Sequence, residues 1–407
     1  MDKLLELDKE WRAAKAELQL LQEKRNKASI SISESKKKGI DISGMVEALG
    51  DVKKGIETRE KTMPVMQEEI DKLLWNMPNV LHETVPYGES SEQNKTIRKW
   101  GEIAKKSSKG HEEILGKLGM LDVERAAKVA GARFYYLKGD MVLLEQSLMR
   151  FTLDMLAKKG YTIISPPYML KKRYYRGVTA LGDFEDALYR IGDPKEVEAK
   201  KDYERMDEEL FMISTSEHPM AAMHAEEVFS GSQLPLKYAG VSMCFRREAG
   251  AHGKDTKGMF RVHQFNKVEQ FIFSRQDDSW QYFDEILKNA EEVLQKLNIP
   301  YRVVEICTGD IGAVAARKND IEAWMPSQGD YREVVSCSNC TDWQSIRLDI
   351  KYDEKSERKY VHTLNSTAVA TTRTLVAIIE NYSNDDGTIT VPEALVPYMG
   401  KKIIGRQ

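Results

Sequence analysis

Between positions 244 and 273 the chain reads CFRREAGAHGKDTKGMFRVHQFNKVEQFIF, with Arg246, Arg247 and Arg261 set among Glu248 and Glu269 around a Gly-rich centre. Arginine presents forked donors that match the oxygens of phosphates and carboxylates. Read as strand, loop and strand, the period of two puts Arg246 and Glu248 on one face. Arg261, His263, Phe265, Lys267 and Glu269 share a face of the returning strand, where Phe265 offers a flat surface for a planar base. Farther on, Glu333 with Ser336 three residues later offers the hard oxygens that suit Mg²⁺ beside phosphate. Arg373 opens the apolar helical run TLVAIIENY, near a helix start that favours anions. No Ser-His-Asp or Cys-His set supplies a nucleophile, so these residues suit a polyphosphate reaction run by positioning and charge neutralisation. Taken alone, residues 244–273 would also fit a solvated sheet face laced with ion pairs.

Other candidate chemistry is weaker. Cys337 and Cys340 form a CxxC, but Cys244 and Cys307 are single and no second pair answers at metal spacing, so no zinc site is expected. GAHGKDT lacks the spacer and the hydroxyl of a phosphate-binding P-loop. No internal repeat and no dinucleotide fingerprint is present.

These residues must be held by a body of mixed character. EQSLMRFTLDMLAKKG reads as helix, whereas YTIIS, KVEQFIF, YRVVEI and RLDIKY read as strands. The strands do not alternate regularly with helices, which favours an α+β fold around a mostly antiparallel sheet. The chain has 407 residues, a net charge of −3 and 41% hydrophobic residues, and no run approaches the length of a membrane span. Its N-terminus is charged from the second residue, unlike a signal peptide, so a cytoplasmic protein without membrane partners is expected.

Residues 1–75 differ from the rest. Leu4, Trp11 and Leu18, with Leu7, Ala14, Leu21 and Ala28, trace a heptad seam, and Leu49, Ile56, Met63 and Ile70, with Val52, Met66 and Leu73, trace a second. Gly39 and Gly44 lie where the chain must turn, so the two seams form an antiparallel coiled-coil arm roughly 50 Å long. Gly50, Gly55 and Pro64 weaken the second helix, and Pro64 should kink or break it. The first 23 residues carry four basic and six acidic side chains, whereas Lys24, Arg25, Lys27, Lys36, Lys37 and Lys38 face only Glu34 in the next fifteen. That cluster is either a solvated face or a grip on a phosphate backbone. Residues 76–100, polar with Pro78, Pro86 and Gly88, read as a linker to a body spanning 101–407.

In this order the segments resemble the seryl-tRNA synthetase family of class II aminoacyl-tRNA synthetases, in its ordinary non-zinc form. The likeness covers nearly the whole chain: the arm, SLMRFTLDMLAKKGYTIISPPYML, TSE at 215–217, FRREAGAHGKDTKGMFRVHQF, REVVSCSNCTDWQ, LNSTAVATTRTLVAIIE and ITVPEALVPYMG. The resemblance implies a class II antiparallel-sheet catalytic domain that activates L-serine with ATP and passes it to tRNA-Ser, with tRNA-Sec as a further acceptor, in a homodimer. It implies Arg246 on the α-phosphate and the serine carboxylate, Glu248 on the adenine amino group, Phe265 stacked on adenine, and Arg261 and Arg373 on the outer phosphates. Arg247, Val262, Val334 and Val335 would flank the nucleotide, and Glu333 and Ser336 would hold Mg²⁺. Arg246, Arg373 and Glu333 would be the catalytic set. Serine would lie on Thr215, Ser216, Glu217 and Arg246, with Glu269 and Thr367 reading its hydroxyl and Asn365 nearby. Lys24, Arg25, Lys27, Lys36, Lys37 and Lys38 would meet tRNA.

Departures from the family pattern concern positioning. Members usually carry roughly thirty more residues before the arm, Ser366 stands where glycine is usual, and Thr372 stands where proline is frequent. A catalytically silent paralogue acting as a binding protein is the alternative reading, but it should have lost a motif arginine or Glu217, and all are present. An adenylating enzyme for a carrier protein should lack the long arm.

Overall fold

The structure, a computed structural model, describes residues 1–103, 109–180, 185–192, 208–248 and 258–405, and divides into two compact units, Met1–Met77 and Pro78–Gln407. In the first unit, α1 (Asp2–Lys37) and α2 (Ser43–Trp75) pair along the two seams, whose residues are buried or half-buried. Ion pairs Lys3–Glu69 at 2.7 Å and Arg59–Glu17 at 2.6 Å fix the antiparallel register. Gly39 turns the chain at φ +71°, and the Asp41 carboxylate then accepts from the Ser43 N–H and hydroxyl to start α2. Gly44, expected in the turn, lies in the first turn of α2.

Two weak points of α2 resolve differently. A Cβ at Gly55 would come within 3.1 Å of Leu21, so this glycine lets the seams close. Pro64 does not break the helix, which runs on through it. The proline removes one backbone hydrogen bond, and the seam residues Met63, Met66 and Ile70 pack on either side of it. On α1, Lys24, Lys27, Lys36 and Lys37 are exposed, as is Lys38 at its cap, while Arg25 is half-buried and donates to Asn26 Oδ1 at 3.3 Å.

The second unit is built on eight strands: β1 (Lys95–Trp100), β2 (Thr162–Ile164), β3 (Leu236–Phe245), β4 (Gln264–Ser274), β5 (Tyr301–Glu305), β6 (Arg317–Met325), β7 (Asp330–Asn339) and β8 (His362–Ala370). Their order across the sheet is β1-β5-β6-β7-β8-β4-β3-β2, antiparallel throughout except where β2 runs parallel to β3. Alternation along β4 serves two cores. Val268 and Ile272 enter the larger one, with apolar faces of α3 (Asp140–Lys158), α5 (Ser279–Lys296) and α6 (Thr371–Tyr382). Phe271 and Phe273 enter the second, with Met220 of the short helix α4 (Glu217–Ala222).

Two expectations need correction. Residues 78–100 are not a free linker: the Asn79 amide donates to Val314 O and Cys340 O at 2.9 and 2.7 Å, and Lys95–Trp100 is an edge strand paired to β5. That strand exposes nearly all its side chains, so its polar composition resembles a loop. RLDIKY is not one strand either. Arg347 and Leu348 close a helical turn, Asp349 reverses it at φ +54°, and the strand begins at Lys351.

Ile56 is 5% exposed in the seam. Ile56→Ala should weaken the hairpin by about 2–4 kcal/mol. Hydrogen–deuterium exchange should show that loss in amides of α1 and α2, with those of β4 and β8 unchanged.

Candidate active site

Strand β3 stops at Phe245, one residue short of the arginine pair. Arg246 extends the ladder by donating its N–H to His263 O at 2.9 Å, whereas Glu248 lies past the strand at φ +50°, not on a shared strand face as expected. Turning out of the strand brings the Glu248 carboxylate within 3.1 Å of Arg261. Both residues line one cleft with Arg246, Val262, Phe265, Glu333, Val334, Ser336 and Arg373. Residues 249–257 of the same motif lie outside the described residues.

Two β-bulges build this cleft. Opposite Ile321 and Glu322 of β6, strand β7 carries the extra residue Val334. Glu333 and Ser336, three apart, would otherwise point to opposite faces; the insertion turns both into the cleft. On β8 the extra residue Ala368 does the same for Thr367 and Ala370. Arg373, on the first turn of α6, donates to Glu333 O at 3.0 Å and lies 3.2 Å from its carboxylate. Partial loss of hydration in the cleft pushes the half-exposed Glu333 carboxyl up, but Arg373, Lys318 and Arg246 outweigh it and hold it below the usual carboxylate range. Two aromatic faces each carry a guanidinium: Arg246 lies 5.2 Å from the Phe265 ring centre, and Arg373 5.2 Å from that of Phe260.

A second cavity of about 360 Å³ adjoins the first, and Arg246, Lys267, Ser336 and Thr367 line both. Thr215, Glu217, Glu269, Asn365 and Cys340 also line it. Thr215 and Glu217 reach it because α4 sits closely on β3: a Cβ at Gly240 would lie 2.7 Å from Met220 Sδ and 2.9 Å from Ser216 Oγ. The Glu217 carboxylate accepts from Gln344 and Asn365 amides, each at 3.2 Å. Lys267 Nζ donates to Thr215 Oγ1 at 3.1 Å and approaches Glu269 Oε2 to 2.5 Å. That last contact pairs the Lys267 ammonium with the buried Glu269 carboxylate, to which the Thr367 hydroxyl also donates. Burial and then the Glu269 charge raise Glu217 to about 7, and burial likewise raises Glu269. His218 alongside is pushed down to about 3, by burial first and then by Lys267 and Arg246, so it is too weak a base for proton transfer near neutrality.

Three expected residues fall outside both cavities. The Ser216 hydroxyl turns to Gly240 O at 3.3 Å, Val335 belongs to the larger core between two cavity-facing neighbours, and Arg247 is exposed. Lys267 and Phe260 line the site without a role in the sequence reading. Both carry a signal there, since Lys267 shares the strand face of Phe265 and Glu269, and Phe260 precedes Arg261. Of the CxxC, Cys337 lies in the apolar core and Cys340 borders the second cavity, where Asn365 donates to it at 3.5 Å. Ser366 is buried in β8, and Thr372 lines the cleft beside Arg373.

Known proteins carry the same combination. The tRNA synthetase class II core domain (G, H, P, S and T) matches residues 197–382, and the seryl-tRNA synthetase N-terminal domain matches residues 1–81. A serine–tRNA ligase of Thermococcus sibiricus is 48% identical over 99% of this chain and 91% of its own length. One from Pyrococcus abyssi is 47% identical with the same coverage. The crystal structure of seryl-tRNA synthetase from Pyrococcus horikoshii complexed with ATP aligns at a TM-score of 0.92 and 46% identity, over 99% of this chain and 92% of that one. Cytoplasmic serine–tRNA ligase from Naegleria fowleri in complex with AMP aligns at 0.87 and 39%, over 99% and 91%.

The electrostatics of the second cavity give a test of its own. Glu217 titrates higher in the folded chain, at about 7, than the 4.5 of a free glutamate. Between those values the folded state therefore binds the extra proton, and stability falls as pH rises from about 4.5 to 7. Allowing for solvent in the cavity, the loss should be about 2 kcal/mol. Chemical denaturation across this range should show it in the native chain, and Glu217→Gln should reduce the slope to the part that Glu269 contributes.

Proposed function

Because the chain belongs to the seryl-tRNA synthetases, we infer that it activates L-serine with ATP and transfers the seryl group to tRNA-Ser. The observation that carries this reading is the junction of the two cavities. Arg246 borders both, so one guanidinium can bind the α-phosphate of a nucleotide on one side and the carboxylate of an amino acid on the other. The carboxylate oxygen then attacks the α-phosphorus, pyrophosphate leaves, and Arg246 steadies the added charge on the pentavalent centre. In the second step a terminal ribose hydroxyl of tRNA attacks the seryl carbonyl, and AMP leaves.

In this proposal Phe265 stacks on adenine, Glu248 accepts from its amino group, and Arg261 and Arg373 bind the outer phosphates. The donor set suits Mg²⁺: the β7 bulge turns a carboxylate and a hydroxyl into the cleft, and no group of three His, Cys, Asp or Glu among the described residues could hold a metal alone. Glu333 and Ser336 would thus share the ion with phosphate oxygens, and when bound it would offset triphosphate charge. Serine places its ammonium on Glu217 and Thr215, and its hydroxyl on Thr367 and Glu269. The exposed apolar residues Val142, Leu143, Ile163, Tyr168 and Met169, in the segment around α3 and β2, support a homodimer. No described helix is long and apolar enough to cross a membrane, in keeping with the proposed cytoplasmic setting.

Serine-dependent ATP–pyrophosphate exchange, followed by charging of a tRNA-Ser transcript, tests this reading; absence of both in folded protein overturns it. Alanine should be rejected by about 10⁴-fold in kcat/KM, because it leaves the buried acceptors unpaired. Threonine should be excluded by its methyl group, and both ratios are measurable by the same exchange.

The basic residues of α1 are proposed to hold tRNA through its phosphates. Deleting residues 20–60 should leave exchange near the level of the intact chain and raise KM for tRNA in charging. Neutralising single lysines of the cluster should lower the salt slope of tRNA binding by roughly 0.7–0.9 each.

A further inference from the structure

His111 lies outside both cavities and outside every motif that suggested chemistry, yet it joins two of them. It begins the short helix His111–Lys117 and is 7% exposed. Its Nδ1 lies 3.2 Å from Glu380 Oε1, and its backbone N–H donates to the same oxygen at 3.2 Å. Glu380 is fully buried on α6, the helix that carries Arg373, and its other oxygen accepts from the Ser327 N–H at 3.1 Å. On its far side, His111 Nε2 lies 3.2 Å from the backbone nitrogen of Met259.

The hydrogen bonds define one arrangement. The Met259 nitrogen can only donate, so His111 Nε2 must accept. Glu380, held below the usual carboxylate range, accepts at Nδ1, so that nitrogen carries the proton. Met259 is followed by Phe260 and Arg261, both in the nucleotide cleft, and Phe260 is the ring beneath the Arg373 guanidinium. The imidazole therefore sets where the returning strand re-enters the cleft, relative to the helix bearing Arg373. Gly258 fits this closeness: at φ +71°, a Cβ there would lie 2.2 Å from His111 Nε2.

We propose that His111 is a positioning residue for the nucleotide half of the reaction, holding Phe260 and Arg261 in register with Arg373 through Met259 on one side and Glu380 on the other. This rests on the serine-activating reading above. It asks of the imidazole more than filling space, since each ring nitrogen has a separate duty, and the two duties can be separated by substitution. A glutamine reaches far enough to offer an amide oxygen at the Nε2 position and accept from Met259. An asparagine reaches only the Nδ1 position, where it can serve Glu380 but not Met259.

The test is serine-dependent ATP–pyrophosphate exchange with the full chain and its His111→Gln and His111→Asn variants, each below its unfolding midpoint. His111→Gln should keep KM for ATP within about twofold, while His111→Asn should raise it about tenfold, the effect of leaving a buried N–H without its acceptor. KM for serine should stay within about twofold in both. Gly258→Ala should raise KM for ATP as His111→Asn does. If His111→Asn matches the unsubstituted chain while His111→Gln fails, His111 serves only to anchor Glu380 and the proposal is wrong. It is equally wrong if KM for ATP and serine rise together, or if no variant changes either. Absence of exchange in the unsubstituted chain would instead overturn the functional reading, so the two failures are distinct.

Discussion

Two carboxylates, Glu217 and Glu269, line one small cavity with the buried ammonium of Lys267, which contacts Glu269 and Thr215. Burial raises both carboxyls, and the Glu269 charge raises Glu217 further. Such an arrangement is costly unless something completes it. Arg246 at the edge has the opposite need, for anions. An amino acid with an ammonium, a carboxylate and a hydroxyl answers these needs together, and the fold around the cavity can be understood as what holds the charges in place.

That support is specific. Lys267 and Glu269 lie on β4, near the middle of the eight-stranded sheet, where pairing to β3 and β8 fixes their direction. Gly240 lets α4 settle on β3 and deliver Glu217. The bulges in β7 and β8 turn Glu333, Ser336 and Thr367 toward the same space. Asn79 donates to the carbonyls of Val314 and Cys340, and both residues line the second cavity. Because the supporting contacts come from backbone pairing and buried amides, the site is preorganised before substrate arrives.

Much of this is legible in residue types. The arm is readable because apolar residues sustained at heptad spacing serve paired helices and little else, and its seams are where burial occurs. Phe265 and Glu269 stand out because they interrupt an otherwise apolar strand, and Arg246, Glu248 and Arg261 because charge clusters beside the two strands. The bulges are not readable: an inserted residue such as Val334 resembles any other strand valine, and only pairing to β6 reveals that Glu333 and Ser336 share a side. Lys267 shares the strand face of Phe265 and Glu269 but receives no role, because a lysine on a strand usually belongs to a solvated face. Ser216 attracts a binding role because it stands between two cavity residues, although the start of α4 turns its hydroxyl to Gly240. The edge strand β1 is hidden because its exposed, polar side chains carry no periodic signal. His111 is silent because its partners lie 148 and 269 residues away in the chain.

The central claim is that the substrate ammonium replaces a proton on Glu217. Titration calorimetry of serine binding, repeated at about pH 6 in buffers of different ionisation enthalpy, measures this directly. With the carboxyl near pH 7 in the empty site, serine should release close to one proton per site, and the release should fade above about pH 8. It should vanish in Glu217→Gln. Serine binding with no proton released under those conditions, or with the same release after that substitution, would contradict the account.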